Sequence, residues 1–143
     1  MMKKTIIAAS TALAVSACST GFYGTSDQDS PIAGYALANN GTTLITMGSI
    51  ASPAKMDTFT LSNKLDAMAY RPVTGELLGY SNGAVYVVDA KTGKLTDLGA
   101  TFTKGAMISK GASATAMDFN NAIDAVRMVG SDGTNLVYFP VGF

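Results

Sequence analysis

The sequence contains no histidine and no tryptophan, and it has a single cysteine. Without histidine, the chain can form neither a Ser-His-Asp triad nor a Cys-His pair, and it cannot build a histidine-bearing metal site. Glu76 is the only glutamate, and it follows a predicted turn at Thr74-Gly75. A general acid there would have to be desolvated, whereas a turn carboxylate is normally in water. The composition therefore predicts a protein that is not an enzyme and that uses no cofactor.

Charge of either sign is scarce, and the two signs balance. Ten Lys and Arg residues stand against ten Asp and Glu, and charged residues make up 14% of the chain against 48% hydrophobic ones. No net charge is available to attract nucleic acid, so no nucleic-acid partner is expected. A length of 143 residues allows one domain.

Long apolar runs are also missing, except for a short one near the N-terminus. Thr5 to Val15 carries no charge and follows Lys3-Lys4. This run is too short to cross a hydrocarbon core, which needs about 20 residues. Residues 1–17 are therefore predicted to be a signal peptide. Residues 18–31 are polar and rich in Gly and Ser, and this composition predicts a flexible tether.

The end of the signal peptide carries a specific local pattern. Val15-Ser16-Ala17-Cys18 resembles the lipobox of bacterial lipoproteins, in which the cysteine is lipidated and becomes the first residue. The resemblance implies that Cys18 is a lipid attachment site and that the membrane is a partner of the chain. Ser19 after the cysteine favours the outer membrane by the same resemblance. An ordinary secretory cut after Ala17 is the alternative.

What the chain does contain is a succession of short apolar runs between turns. Between Leu65 and Gly99, four such runs are separated by Pro72–Gly75, Ser81–Gly83 and Asp89–Gly93. Glycine in these separators can adopt positive φ, and runs this short are strands rather than helices. The stretch is predicted to be one antiparallel four-stranded meander. Earlier in the chain, Asn39-Asn40-Gly41 predicts a hairpin between two further strands.

The second half of the chain repeats the pattern of the first. Ala67-Met68-Ala69-Tyr70 matches Ala116-Met117-Asp118-Phe119, with Met68 and Met117 49 residues apart. A period near 50 built from strands alone is typical of propeller blades. The predicted fold is all-β, an antiparallel meander repeated at about 65–99 and 114–143 within a domain of residues 32–143. It is β-propeller-like and incomplete, with two blades and a partial one.

Several motifs together resemble a known family. Arg71–Leu77, Val85–Gly93, Met117–Asn121 and Asp124–Val129 follow one another as in a DUF4394-like family of exported bacterial domains of unknown function, and Gly133–Leu136 matches that family's closing motif. The resemblance covers about residues 35–139 and implies a propeller-like fold without a known activity. Asn121 and Ala125 stand where the family has Pro and Arg.

Two sets of residues are candidates for the functional surface. Blade-edge loops are predicted to contact a partner, through Asn39, Asn40, Gly41, Ser81, Asn82, Gly83, Asp132 and Asn135. Asp118, Asp124 and Arg127 form the one charged group that the period places within a sheet. If Phe119 pairs with Val126, Asp118 faces Arg127, and the two are predicted to form a structural ion pair that fixes the strand register. The alternative is a carboxylate and a guanidinium that face a ligand.

The predicted function is that of a non-catalytic envelope lipoprotein that acts as a binding or interaction module. The alternative is a structural lipoprotein whose strands pair between chains and complete its β architecture. Partners would be the membrane, through the lipid on Cys18, and either a second copy or another envelope protein. The predicted location is the bacterial cell envelope, at the outer membrane.

Overall fold

A computed structural model describes residues 31–103, 106, 108 and 114–140. Cys18, the predicted signal peptide and most of the predicted tether lie outside the described residues. The described part contains ten strands: β1 (Gly34–Ala38), β2 (Thr43–Met47), β3 (Met56–Thr60), β4 (Ala67–Arg71), β5 (Glu76–Ser81), β6 (Ala84–Val88), β7 (Leu95–Asp97), β8 (Ala114–Asn120), β9 (Ala125–Gly130) and β10 (Asn135–Tyr138). A single 3-10 turn at Asn39–Gly41 joins β1 to β2. The all-β prediction is confirmed.

The strands form three antiparallel sheets, each with its strands in chain order. Sheet A contains β1–β3, sheet B contains β4–β7 and sheet C contains β8–β10. Sheet B is the four-stranded meander predicted between Leu65 and Gly99. None of the three sheets is closed into a barrel. No helix in the described part of the chain is long and apolar enough to cross a membrane.

Turn chemistry explains where the strands reverse. Asn39, Asn40 and Gly41 all have positive φ, between 51° and 84°. Asn82 and Gly83, between β5 and β6, have φ of 45° and 86°. Asn and Gly tolerate this left-handed region better than other residues, which is why they occupy tight hairpin turns. The two hairpins that the sequence predicts at Asn-Gly are therefore formed for the expected reason.

The three sheets stack face to face, with sheet B in the middle. One apolar cluster joins sheets A and B through Leu44, Leu61, Leu65, Leu77 and Val88. A larger cluster joins sheets B and C through Ala67, Ala69, Leu78, Tyr80, Val85, Ile108, Met117, Phe119, Val126, Met128, Leu136 and Tyr138. Neighbouring residues of a strand point to opposite faces, so Leu77 faces sheet A and Leu78 faces sheet C. Burial of both faces explains the continuous apolar run Leu77–Tyr80.

The first strands of sheets B and C, β4 and β8, run close together. All three sheets belong to one compact unit. Sheets A and C have one face each against sheet B, and their other faces are not covered by another sheet of the described chain. The layer order places the hairpin between β5 and β6 in the middle sheet.

Candidate interaction surface

Two of the predicted loops meet at one segment of the chain. The Leu65 N–H donates to the Gly41 carbonyl at 2.9 Å, and the Asn82 N–H donates to Asp66 Oδ2 at 3.4 Å. The segment Lys64–Asp66 therefore lies between the loops Asn39–Gly41 and Ser81–Gly83. Lys64 Nζ lies 3.0 Å from Asp66 Oδ1, and the lysine side chain is exposed.

The third predicted loop, Ser131–Thr134, lies within electrostatic range of the same region. Burial raises the pKa of Tyr80, and the carboxylates of Asp66 and Asp132 raise it further, while a hydrogen bond from the Gly83 N–H lowers it. That N–H donates to the Tyr80 hydroxyl at 3.1 Å. Arg71 at the end of β4 donates to Asp124 in the turn after β8, so the turns that follow β4 and β8 lie at one end of the stack. Successive turns of a meander lie at opposite ends, so the second and third loops share the other end. We call the three loops together the loop edge.

A groove opens between the first loop and the segment Lys64–Asp66. It has a volume of about 540 Å³ and is lined by Leu37, Asn40, Gly41, Lys64, Leu65 and Asp66. Asn40 is exposed, and Gly41 is buried against the backbone of Leu65. The groove offers an amide, an ammonium and a carboxylate around an apolar floor. These groups can form hydrogen bonds and ion pairs with a partner.

The predicted pair on sheet C has the expected register and different partners. Asp118 lies opposite Arg127, and Phe119 lies opposite Val126, as predicted. The side chains do not form the predicted ion pair. Asp118 Oδ1 accepts a hydrogen bond from the Phe119 N–H at 2.9 Å, and Arg127 Nη1 donates to Asn135 Oδ1 at 2.7 Å. On this exposed face, a local amide and a neighbouring carboxamide satisfy the two charges more directly than each other.

The predicted loop residue Asn135 is therefore a strand residue that contacts Arg127. It pairs with Val129 at the start of β10 and stands outside the groove. Ser81 is likewise a strand residue, the last of β5, and it pairs with Ala84. The other predicted loop residues lie in the hairpin connections, as the turn pattern indicates.

The sequence interpretation missed a buried ion cluster between sheets B and C, which we call the Arg71 cluster. Arg71, at the end of β4, is 6% exposed, and Asp124, in the turn before β9, is 5% exposed. Arg71 Nε lies 2.9 Å from Asp124 Oδ1 and 3.0 Å from Oδ2, and Nη2 also donates to Oδ2. Glu76 completes the cluster, because its Oε2 accepts from Arg71 Nη1 at 3.0 Å and from Thr74 Oγ1 at 2.7 Å.

The charges of the Arg71 cluster hold each other ionised. The hydrogen bond from Arg71 lowers the pKa of Asp124 in spite of burial, and the hydrogen bond to Asp124 raises the pKa of Arg71. Asp124 has positive φ at 46°, and Gly75, in the corresponding turn of sheet B, has φ of 76°. Asp tolerates this conformation better than most residues and can still present a carboxylate. In the sequence, the signal for this turn position of Asp124 was the 49-residue period that relates it to Gly75.

Tyr138 lies near the same cluster. Burial raises the pKa of its hydroxyl, Arg71 lowers it and Asp97 raises it. The hydroxyl is buried and has no hydrogen-bond partner within the part of the chain that the structure describes. The ring of Tyr138 lies 6.0 Å from that of Phe102.

No metal site is evident among the described residues, since no three Asp, Glu, His or Cys side chains come together there in a way that could hold an ion. In the Arg71 cluster, which joins sheets B and C, the guanidinium of Arg71 donates hydrogen bonds to the carboxylates of Asp124 and Glu76. Its geometry is that of a structural clamp.

Comparison with known proteins identifies a family but no individual relative. A family-wide sequence model, described as a domain of unknown function (DUF4394), matches residues 43–142. The chain belongs to this family. The match spans sheets B and C and both Arg71 and Asp124. No curated protein matches the chain.

Proposed function

We propose that this member of the DUF4394 family is a non-catalytic interaction module, exported and anchored by a lipid on Cys18 at the bacterial outer membrane. The observation that carries the proposal is the loop edge. Three hairpin loops that the sequence singles out lie on one side of the stack, and the first of them, with Lys64–Asp66, lines a groove that presents Asn40, Lys64 and Asp66. Binding residues are often carried by loops that a rigid scaffold positions.

The lack of histidine, together with the single glutamate, supports a role that is not catalytic. Glu76, the one glutamate, accepts hydrogen bonds from Arg71 and Thr74 and is already engaged in the Arg71 cluster. The lipobox-like Val15–Cys18 supports the anchor. Palmitate labelling of the exported chain tests it. Label that disappears in Cys18→Ala supports the anchor, and label retained in that variant refutes it.

Site-specific photo-crosslinking in the envelope tests the loop edge. A photoreactive residue is placed at Asn40, Asn82 or Asp132, and the matched control is placed at Val73, which is 65% exposed. Val73 lies in the turn between β4 and β5, and successive turns of a meander lie at opposite ends of its sheet. We expect one common adduct from the three loop positions and none from Val73. Equal adducts from all four positions, or no adduct at the loops, would contradict the proposal.

A second candidate function is self-assembly through the open parts of the stack. Stacked sheets in chain order, with β4 beside β8, support a propeller-like arrangement of repeated blades in which β1–β3 form a partial blade. Such an array leaves the outer faces of sheets A and C without a neighbouring sheet. A second chain could complete the architecture. The observation that favours this candidate is the edge of β10, which carries no charged residue, whereas β3 and β7 each carry an aspartate.

A further inference from the structure

The outer edge of β10 borders a cavity. Within the described chain, β10 pairs with β9 on one side only. A cavity of about 510 Å³ contacts five successive residues, Asn135–Phe139, and the facing segment Leu98–Thr103. Successive side chains of a strand point to opposite faces, so a cavity that contacts all five lies along the edge of the strand.

The three sheets differ in how their outer edges are protected. The outer strand of sheet A, β3, carries Asp57, and the outer strand of sheet B, β7, has only three residues and ends at Asp97. Short strands and charged residues at an edge prevent pairing with another chain. The sequence of β10, Asn-Leu-Val-Tyr, is followed by Phe139 and contains no charge. In this respect β10 differs from β3 and β7, each of which carries an aspartate.

The backbone groups that face this edge can be identified. The Gly130 N–H donates to the Thr134 carbonyl at 2.8 Å, so Thr134 points its backbone groups toward β9. Alternation along an antiparallel strand then directs the backbone N–H and C=O of Asn135, Val137 and Phe139 away from β9. The side chains of these residues lie on the uncovered face of sheet C, where Val137 is 42% exposed and Phe139 is 57% exposed.

We propose that β10 pairs antiparallel with β10 of a second copy of this chain, around a two-fold axis at Val137. This inference rests on the self-assembly candidate and gives it a specific interface. The edge is self-complementary because two uncharged strands meet without like-charge repulsion. Around this axis, Val137 of one copy pairs with Val137 of the other, and Asn135 of each copy pairs with Phe139 of the other. Each residue whose backbone groups point away from β9 then gains a backbone hydrogen-bond partner. The apolar side chains of Val137 and Phe139 form one row across both copies.

Disulfide trapping in the full-length exported chain tests the axis. In Val137→Cys, the Cα atoms of the two cysteines would lie about 5.5 Å apart, within the range that a disulfide bridges. The matched control is Arg127→Cys, since Arg127 lies directly opposite Val137 on β9 and is also exposed. Its two copies would be about 14 Å apart, across three strand spacings. Cys18 is present in both variants, so any background that it causes is shared.

We expect disulfide-linked dimer from Val137→Cys and only background from Arg127→Cys. Equal dimer from the two variants, or none from Val137→Cys, would overturn the proposal.

Light scattering of the unmodified chain provides the second measurement. We expect twice the mass of the chain, falling to the mass of one chain in Val137→Lys, because two lysines would face each other at the axis. Val73→Lys is the control for added charge and should stay dimeric. A monomer before substitution, or a Val137→Lys dimer, would contradict the interface. Neither result affects the photo-crosslinks expected at Asn40, so failure of this interface is distinguishable from failure of the loop edge.

Discussion

Sheet B is packed on both faces, but the two contacts are built differently. The buried part of its contact with sheet A consists of leucine and valine side chains and includes a close approach of Leu65 to Gly79. Its contact with sheet C is larger and contains the buried pair of Arg71 and Asp124. The first contact is specified by shape and the second partly by charge. One sheet can therefore distinguish its two neighbours, which lowers the chance that it packs against the wrong one.

The largest expected loss comes from the shape-specified contact. Leu65 is 1% exposed and packs between sheets A and B. Leu65→Ala removes buried methyl groups and leaves a cavity, so we expect the free energy of unfolding to fall by about 2–5 kcal/mol. Urea unfolding measures it. The loss should not change between pH 5 and pH 7, because no titratable group is involved, and a clear pH dependence would count against a purely apolar contact.

The next largest loss should come from Arg71→Met. This change leaves the Asp124 carboxylate buried without its cation, which is the costly way to break a buried pair. Urea unfolding at neutral pH should place the loss between those of Leu65→Ala and Gly79→Ala. A variant as stable as the unsubstituted chain would show that Arg71 and Asp124 do not hold the sheets together.

The same pair gives a pH dependence of defined sign. The pKa of Asp124 is lowered in the folded chain, mainly by the hydrogen bond from Arg71. Its contribution to stability is therefore present above the unfolded pKa of about 3.9 and is lost as pH falls through the folded value. The stability difference between Arg71→Met and the unsubstituted chain should shrink below about pH 4. A difference that stays constant would contradict the charge-specified contact.

Gly79→Ala gives a smaller loss and tests shape directly. A Cβ at Gly79 would lie 2.6 Å from one methyl of Leu65 and 2.9 Å from the other. We expect a loss of about 1–3 kcal/mol from overpacking. In the background of Leu65→Ala, the same substitution should cost much less, because the clashing methyl groups are gone. Equal costs in both backgrounds, measured by urea unfolding, would show that Leu65 does not set this spacing.

The smallest effect is expected at Tyr138. Its hydroxyl is buried and without a partner among the described residues. Tyr138→Phe removes a polar group that gains nothing from burial, so stability should change by less than about 0.5 kcal/mol or rise. Thermal unfolding measures it. A large loss would mean that the hydroxyl contributes to the contact between sheets B and C.

Local patterns made much of this fold predictable. Asn-Gly pairs and short apolar runs predicted the hairpins, and the pairing of Phe119 with Val126 placed Asp118 opposite Arg127 as observed. The partners of individual side chains were harder to predict from the sequence. Arg71 and Asp124 lie 53 residues apart in the chain, and only the stacking of sheets B and C brings them together. Asp118 and Arg127 were predicted as an ion pair, and the structure gives each side chain another partner, the Phe119 N–H and Asn135 Oδ1. The loop edge followed from turn residues, whereas its groove depended on where Lys64–Asp66 runs.

A double-mutant cycle on Arg71 and Asp124 tests the central claim most directly. Asp124→Asn keeps a residue that tolerates positive φ and removes the charge. Urea unfolding at neutral pH is measured for the unsubstituted chain, Arg71→Met, Asp124→Asn and the double variant. We predict that the double variant loses clearly less stability than the sum of the single losses, because the two groups act as one clamp between sheets B and C. Additive losses would contradict it.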